Sequence, residues 1–259
     1  MEVFVKKLFG IIVAAMLLIS STFAVEMVIG ARGNVNFGVG TSLEDDGKEL
    51  VEELKLATAL ASVLGVDAQL KEKGNLGVGI ALYGNFQIPI LKSAKLGFQP
   101  EINFNFNNGY NIDFSVSADG YEASDKIRAY THTLDIPLII NVSFPLGSMF
   151  ELGGGMGPQL SIPLKADVEE ILKSTEESKN TKLINEDTTV KGNVNFGIVF
   201  DINAKLLGPE KNAALIFDLR YILDITKTKF IISNEYFSET IVLFTRRGLD
   251  LGLGLEYRF

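Results

Sequence analysis

Even-numbered positions from Leu96 to Val116 read Leu96, Phe98, Pro100, Ile102, Phe104, Phe106, Asn108, Tyr110, Ile112, Phe114 and Val116, and the odd ones include Gln99, Glu101, Asn103, Asn105, Asn107, Asn111, Asp113 and Ser115. A 3.6-residue repeat would scatter those aromatics around every face of a helix, whereas a strand holds them on one side. The alternation constrains the fold because it returns along the chain, at Met27–Val39, Leu76–Ile88, Arg128–Phe144, Met149–Leu164, Val190–Leu206, Ala213–Ile225 and Arg246–Phe259. With Leu96–Val116 that makes eight strands. No apolar run after residue 24 reaches the roughly 18 residues that mark a membrane-crossing helix.

Alternation alone does not say which face points inward, since soluble barrels alternate too. Volume decides it. An eight-stranded barrel encloses little more than its own side chains, and the apolar set here holds most of the chain's 18 Phe. That set must face outward, and the Gly, Asn, Ser and charged set must fill a narrow polar lumen. The connections agree. Pro89–Lys95, Pro145–Ser148 and Leu207–Asn212 are short, while Thr41–Gly74, Ser117–Ile127, Lys165–Thr189 and Thr226–Thr245 are long. Short periplasmic turns alternating with long extracellular loops are the habit of outer-membrane barrels. The expected fold is therefore all-β: an eight-stranded antiparallel up-and-down transmembrane β-barrel with both chain ends on the periplasmic side. Tyr83, Tyr110, Tyr130, Tyr221 and Tyr257 are the candidates for an aromatic belt, Tyr83 being the weaker member because its parity is inward.

The long loops carry their own patterns. Asp46 followed by Glu49 predicts a helix N-cap, with Leu50, Leu54, Ala57, Ala61 and Leu64 at helical spacing and a stop at Gly65, so loop one holds a short amphipathic helix. Its apolar face must be buried in the barrel mouth, in the outer leaflet or on a partner. Asp167–Lys179 reads equally as a second, acidic helix or as a solvated loop. Phe230–Ile232 and Glu239–Phe244 predict either a hairpin above the membrane or a further strand pair, which leaves eight strands or ten.

Lys6 and Lys7, an apolar run from Leu8 to Ile19, and the small residues Ser20, Ser21, Thr22 and Ala24 form a secretory signal. The run is too short for an anchor. Residues 1–24 are thus expected to be a signal peptide and 25–259 the barrel, exported to the outer membrane of a diderm bacterium.

With no Cys the chain has no disulfide and no thiolate ligand or nucleophile, and one His makes imidazole metal sites and most hydrolase triads improbable. A net charge of -8 repels a phosphate backbone, so nucleic acid is not an expected partner. No Asp-x-Asp-x-Asp-Gly calcium loop is present. The expectation is no catalytic, metal or cofactor-binding residue, and no cofactor. His132, at lipid-facing parity beside Tyr130 and Leu134, reads as interfacial packing; Leu134 stands where lipid A deacylases carry the Ser of a His-x-Ser pattern.

Lumen parity instead collects Arg32, Glu101, Asp113, Asp135, Glu151, Asp218, Arg220, Asp250, Glu256 and Arg258, joined by Lys191, Asp201, Lys205 and Asp224. Buried charges need partners, so these are expected to form an internal salt-bridge network with an acidic surplus. Arg32 and Glu256, at similar depths on the strands that close the barrel, are expected to pair.

Leu249, Leu251, Leu253, Leu255, Tyr257 and Phe259 share one face of the last strand. Leu253, Leu255, Tyr257 and Phe259 look like the insertion signal that barrel assembly machinery reads in outer-membrane proteins. Gly30-Ala31-Arg32-Gly33-Asn34, Leu134-Asp135-Ile136-Pro137-Leu138-Ile139-Ile140, Leu152-Gly153-Gly154-Gly155-Met156-Gly157-Pro158 and the Gly-rich last strand resemble the PorT-like outer-membrane β-barrel family. That resemblance, over residues 25–259, implies a fold and a location more than an activity. The expected role is structural or surface-interacting, through the loops. Alternatives are a narrow pore or secretion accessory and a lipid-modifying enzyme. Expected partners are outer-membrane lipids, the assembly machinery during biogenesis, and an unspecified surface or periplasmic protein.

Overall fold

The structure is a computed structural model that describes residues 25–91, 93–118, 121–174, 178–181, 189–233 and 238–259. The expected signal peptide, residues 1–24, lies outside them. In chain order the elements are β1 (Glu26–Phe37), β2 (Ser42–Leu43), α1 (Asp45–Val63), β3 (Asp67–Gly74), β4 (Leu76–Leu91), β5 (Ala94–Ala118), β6 (Tyr121–Leu146), β7 (Phe150–Ser174), β8 (Ser178–Thr181), β9 (Thr189–Gly192), β10 (Asn195–Leu207), β11 (Ala213–Asp224), β12 (Thr228–Ser233), β13 (Ser238–Thr245) and β14 (Arg247–Arg258). Eight of them, β1, β4, β5, β6, β7, β10, β11 and β14, close an antiparallel ring. Closure leaves no unpaired edge in the wall.

Alternation sets the two faces of that wall. Along β1, Ile29, Ala31, Gly33, Val35 and Phe37 are exposed while Val28, Gly30, Arg32, Asn34 and Asn36 are buried. The ten steps from Leu249 to Phe259, at about 3.4 Å each and tilted by about 40°, climb roughly 25 Å, the height of the apolar band of an outer-membrane barrel. This apolar belt is continuous around the ring.

β5, β6 and β7 run 25, 26 and 25 residues, more than twice what the belt requires, and project beyond it at the long-loop end. Two β-bulges mark the level where they leave the belt. One lies between Asn105 and Asn108 in the β5–β6 register, where Asn107 takes φ 64°; the other lies between His132 and Thr133 in the β6–β7 register. A bulge inserts one residue and flips every later side chain to the opposite face. In β5 the inward set therefore changes from Gln99, Glu101, Asn103 and Asn105 to Asn108, Tyr110 and Ile112, and in β7 from Gln159 and Ser161 to Ala166 and Val168. The even apolar set of strand three thus faces outward only as far as Phe106.

What the flipped residues face is a second, small core. Strands β2, β13, β12 and β9 form a separate four-stranded sheet over the barrel mouth. Leu43, Val51, Tyr110, Ile112, Ala129, Ala166, Val168, Phe230 and Phe244 are buried between that sheet, α1 and the projecting strands. The rings of Phe230 and Phe244 meet with centroids 6.0 Å apart. Loop four is thus a hairpin above the barrel, with β12 paired to β13, and the ring keeps eight strands. Tyr110 belongs to this cap rather than to an aromatic belt; burial, with Glu72 beside it, pushes its hydroxyl up to about 12.

Two helix expectations change. In loop one the helix begins two residues earlier and its N-cap is Glu44. Asp46 does not cap it: its carboxylate accepts a hydrogen bond from the Val242 backbone N–H at 2.6 Å and ties α1 to β13. Gly47 sits so close to β13 that a Cβ there would lie 2.5 Å from the Leu243 carbonyl, so packing on the sheet, not capping chemistry, sets this end. Asp167–Lys179 is not helical in its described part; β7 continues through it to Ser174 and pairs with β8.

Candidate functional site: the charged lumen

Inward side chains stack three tiers of charge from the short-turn end upward. In the lowest, Lys205 Nζ lies 2.9 Å from Glu256 and 3.6 Å from Glu151, and Arg258 lies 2.9 Å from Glu151 and 3.5 Å from Glu26. The Tyr83 hydroxyl donates to Glu256 at 3.1 Å.

The middle tier is built around one carboxylate. Arg32 donates to Glu101 through both terminal guanidinium nitrogens, and Arg220 Nη1 approaches the same carboxylate at 2.9 Å. Arg32 also reaches Asp218 at 3.0 Å, and Arg220 Nε reaches Asp201 at 2.7 Å. Register explains the juxtaposition. Asp201 lies directly across from Arg220 in the β10–β11 ladder, and Asp218 lies across from Gly252 in the β11–β14 ladder. A Cβ on Gly252 would stand 2.1 Å from Asp218 Oδ1, so only glycine lets that carboxylate lean over β14 toward Arg32. None of the five side chains in this tier is more than 3% exposed.

In the upper tier Arg246 lies 3.1 Å from Asp135 and 3.3 Å from Asp224 and donates to the Ser161 hydroxyl at 2.9 Å. Asp135 also accepts from Asn105 at 2.8 Å and from Gln159 at 3.3 Å. Asp250, opposite Arg220 in the ladder, accepts from Asn36 and Asn34. Amides thus supply donors where cations are missing, as a low-dielectric interior demands.

Nine of the ten expected network residues, Arg32, Glu101, Asp135, Glu151, Asp218, Arg220, Asp250, Glu256 and Arg258, sit in the three tiers. The exception is Asp113. It lies six residues past the Asn107 bulge, so its parity is reversed; it faces outward on the projecting sheet and pairs with Lys126 at 3.2 Å. Lys191 is likewise outside the lumen, exposed on β9. Arg32 and Glu256 do not pair. The Tyr83 ring crosses over Gly30 between them, sending Arg32 across to Glu101 and leaving Glu256 to Lys205. Arg246 was not among the expected residues, although it has the same parity as Asp250 and Glu256 and is 4% exposed; that parity was the available signal. Among the described residues, eight buried carboxylates (Glu101, Asp135, Glu151, Asp201, Asp218, Asp224, Asp250 and Glu256) face four buried cations (Arg32, Lys205, Arg220 and Arg246). The lumen is acidic.

His132 does structural work. Its Nδ1 accepts the Asn107 backbone N–H at 3.0 Å, and its ring packs against Phe106 and Tyr130, with centroids 5.7 and 5.5 Å away. It thereby holds the bulge that turns β5. No three His or carboxylate side chains are arranged to hold a metal among the described residues. Leu253, Leu255, Tyr257 and Phe259 all point outward; the last two rings stack edge-on at 5.1 Å, and the Phe259 N–H donates to the Met27 carbonyl, sealing β14 to β1.

No family model matches the chain, and no curated protein matches it. Among solved structures it is similar to the outer membrane protein OprG from Pseudomonas aeruginosa, with TM-score 0.47, 13% identity, and coverage of 90% of this chain and 96% of that one. It is also similar to Neisserial surface protein A, at TM-score 0.36 and 11% identity over 90% and 97% of the two chains. Ail, the attachment invasion locus protein of Yersinia pestis, gives TM-score 0.35 and 10% identity over 90% and 99%.

Proposed function

We propose that this protein is an integral outer-membrane β-barrel with a filled lumen that serves as a rigid membrane-anchored base for the cap above it, acting by structural or surface interaction. Two observations support the reading. The apolar belt exposes Ile80 at 62%, Ile202 at 65% and Leu255 at 66%, with many neighbours alike, which only a hydrocarbon surround makes stable. The observation that carries the closed lumen is the middle tier, whose five side chains are all buried. A continuous aqueous pore would wet them. The strand motifs that resemble the PorT-like barrels fit this placement, with cap and long loops outside the cell and short turns in the periplasm. The acid surplus favours one second reading, a narrow cation path.

Single cysteines at Phe104 and Asn105 test the orientation. They are adjacent on β5, the first 42% exposed and the second 2%. In liposomes, a lipid-phase maleimide should label the Phe104 position at least about tenfold faster than the Asn105 position, since the inward site is reached only through the packed lumen. Equal rates would reject a lipid-facing belt.

A further inference from the structure

The chain has six arginines, and five of them hold a carboxylate: Arg32, Arg128, Arg220, Arg246 and Arg258 each lie within 3.7 Å of one. Arg247 holds none. Among the described residues its guanidinium makes neither an ion pair nor a hydrogen bond. Its place in the wall makes that informative. Arg246 precedes β14 and turns into the lumen, whereas Arg247 opens the strand and takes the outward parity of Leu249, Leu251 and Leu253.

Arg247 stands one outward position above Leu249, opposite Leu223 in the β11–β14 ladder and just past Phe37–Leu249, the last rung of β1–β14. Thr41 ties down its backbone: the hydroxyl donates to the Arg247 carbonyl at 2.8 Å and accepts from its N–H at 3.2 Å. The side chain then runs beside Gly40, which takes φ 83°. A Cβ built on Gly40 would lie 3.8 Å from Arg247 Cβ and 3.9 Å from both Arg247 Cδ and the Tyr221 hydroxyl. Tyr221 is itself outward and 38% exposed, so its hydroxyl meets the arginine stem at the top of the apolar belt. The carboxylates on this side are occupied. Glu44 accepts from the Thr245 hydroxyl, and Lys227 lies 3.5 Å from Glu44 and 2.9 Å from Asp45. An unpaired guanidinium at the rim of a hydrocarbon belt is costly to desolvate unless an anion meets it there, and lipid headgroups supply phosphate at that height.

We propose that Arg247 and Tyr221 bind the phosphate of an outer-leaflet lipid. The guanidinium donates through its two terminal nitrogens, the hydroxyl supplies a third donor, and an acyl chain lies along Phe37 and Leu249. The site rests on the lipid-facing belt, which the Phe104 and Asn105 labels test separately. It fixes a lipid at the seam where β14 closes on β1.

The test uses the mature protein in maltoside micelles, which contain no phosphate, with arginine Nε–H resonances followed by NMR; the signal missing from Arg247→Gln identifies Arg247. Dioctanoyl phosphatidic acid should shift that signal and saturate. Dioctanoylglycerol, with the same chains and no phosphate, should leave it in place, and inorganic phosphate should need at least about tenfold higher concentration because it lacks the chains. Read from the Gly40 and Thr41 backbone amides, Arg247→Gln should weaken phosphatidic acid binding by about tenfold or more and Tyr221→Phe by about fivefold, the scale of losing hydrogen bonds to a charged group. The comparison of headgroups leaves the protein unaltered, so it reads the site whatever a variant does to folding. Equal shifts with dioctanoylglycerol would overturn the phosphate site. Saturation by inorganic phosphate at matching concentration would overturn the lipid and leave an adventitious ion only, and unaltered affinity in Arg247→Gln would remove Arg247 from the site. Each of these results, with Phe104 labelled as expected, leaves the lipid-facing belt standing.

Discussion

Arg220→Leu is expected to destabilise the refolded barrel by about 3–5 kcal/mol, the scale for removing one partner from a buried ion pair, and to lower its urea midpoint in lipid accordingly. The side chain lies between Glu101 and Asp201, with Asp218 3.6 Å from its Nε. Its loss leaves Arg32 alone against three buried carboxylates, and a low-dielectric interior offers no water to replace it. Pairwise coupling checks the wiring. Arg32→Ala and Glu101→Ala should be non-additive by about 1–3 kcal/mol because the groups touch, while Arg32→Ala and Glu256→Ala, kept apart by Tyr83, should add to within about 0.5 kcal/mol. Coupling between Arg32 and Glu256 instead would show that the rungs are assigned one level wrong.

Ile112→Asp is expected to separate the cap from the barrel. Ile112 lies beyond the bulge, buried with Tyr110, Phe230 and Phe244, so the change puts a carboxylate into that small core. Burying an unpaired charge there should unfold the cap while the belt and lumen tiers, all below the bulge, stay intact. Limited proteolysis of the folded protein in vesicles should then cleave in loops one and four while a protected fragment spanning β6 and β7 remains. An Ile112→Asp variant with the parent's protease resistance would contradict the inward face given to even positions beyond the bulge.

The sequence shows the wall more plainly than what lies above it, for a physical reason. Each barrel strand has one face in an apolar surround and one in a polar interior, so a period of two repeats over ten or more residues in every strand. Nothing comparable marks β2, of two residues, or β9, of four; their assignment needs partners that no local pattern names. The Asn107 bulge is hidden more deeply. Apolar residues stay on even positions from Phe98 to Val116 because the surroundings switch sides at the same point as the strand, and the one trace is a polar even position, Asn108, set in Asn107-Asn108-Gly109. Parity alone therefore placed Asp113 in the lumen. Partner choice inside the lumen was equally out of reach, since it depends on how far an Arg reaches past a ring such as Tyr83, whereas membership depends only on parity and was legible for nine residues of ten.

Conductance across a planar bilayer tests the closed lumen most directly. With five packed side chains at mid-height and two guanidinium groups across one carboxylate, the protein should insert and show no resolvable single-channel openings in 1 M KCl at about 100 mV, before or after trimming of the cap by protease. Stable, cation-selective openings of the unmodified protein would contradict the filled lumen and make the acidic surplus the lining of a pore.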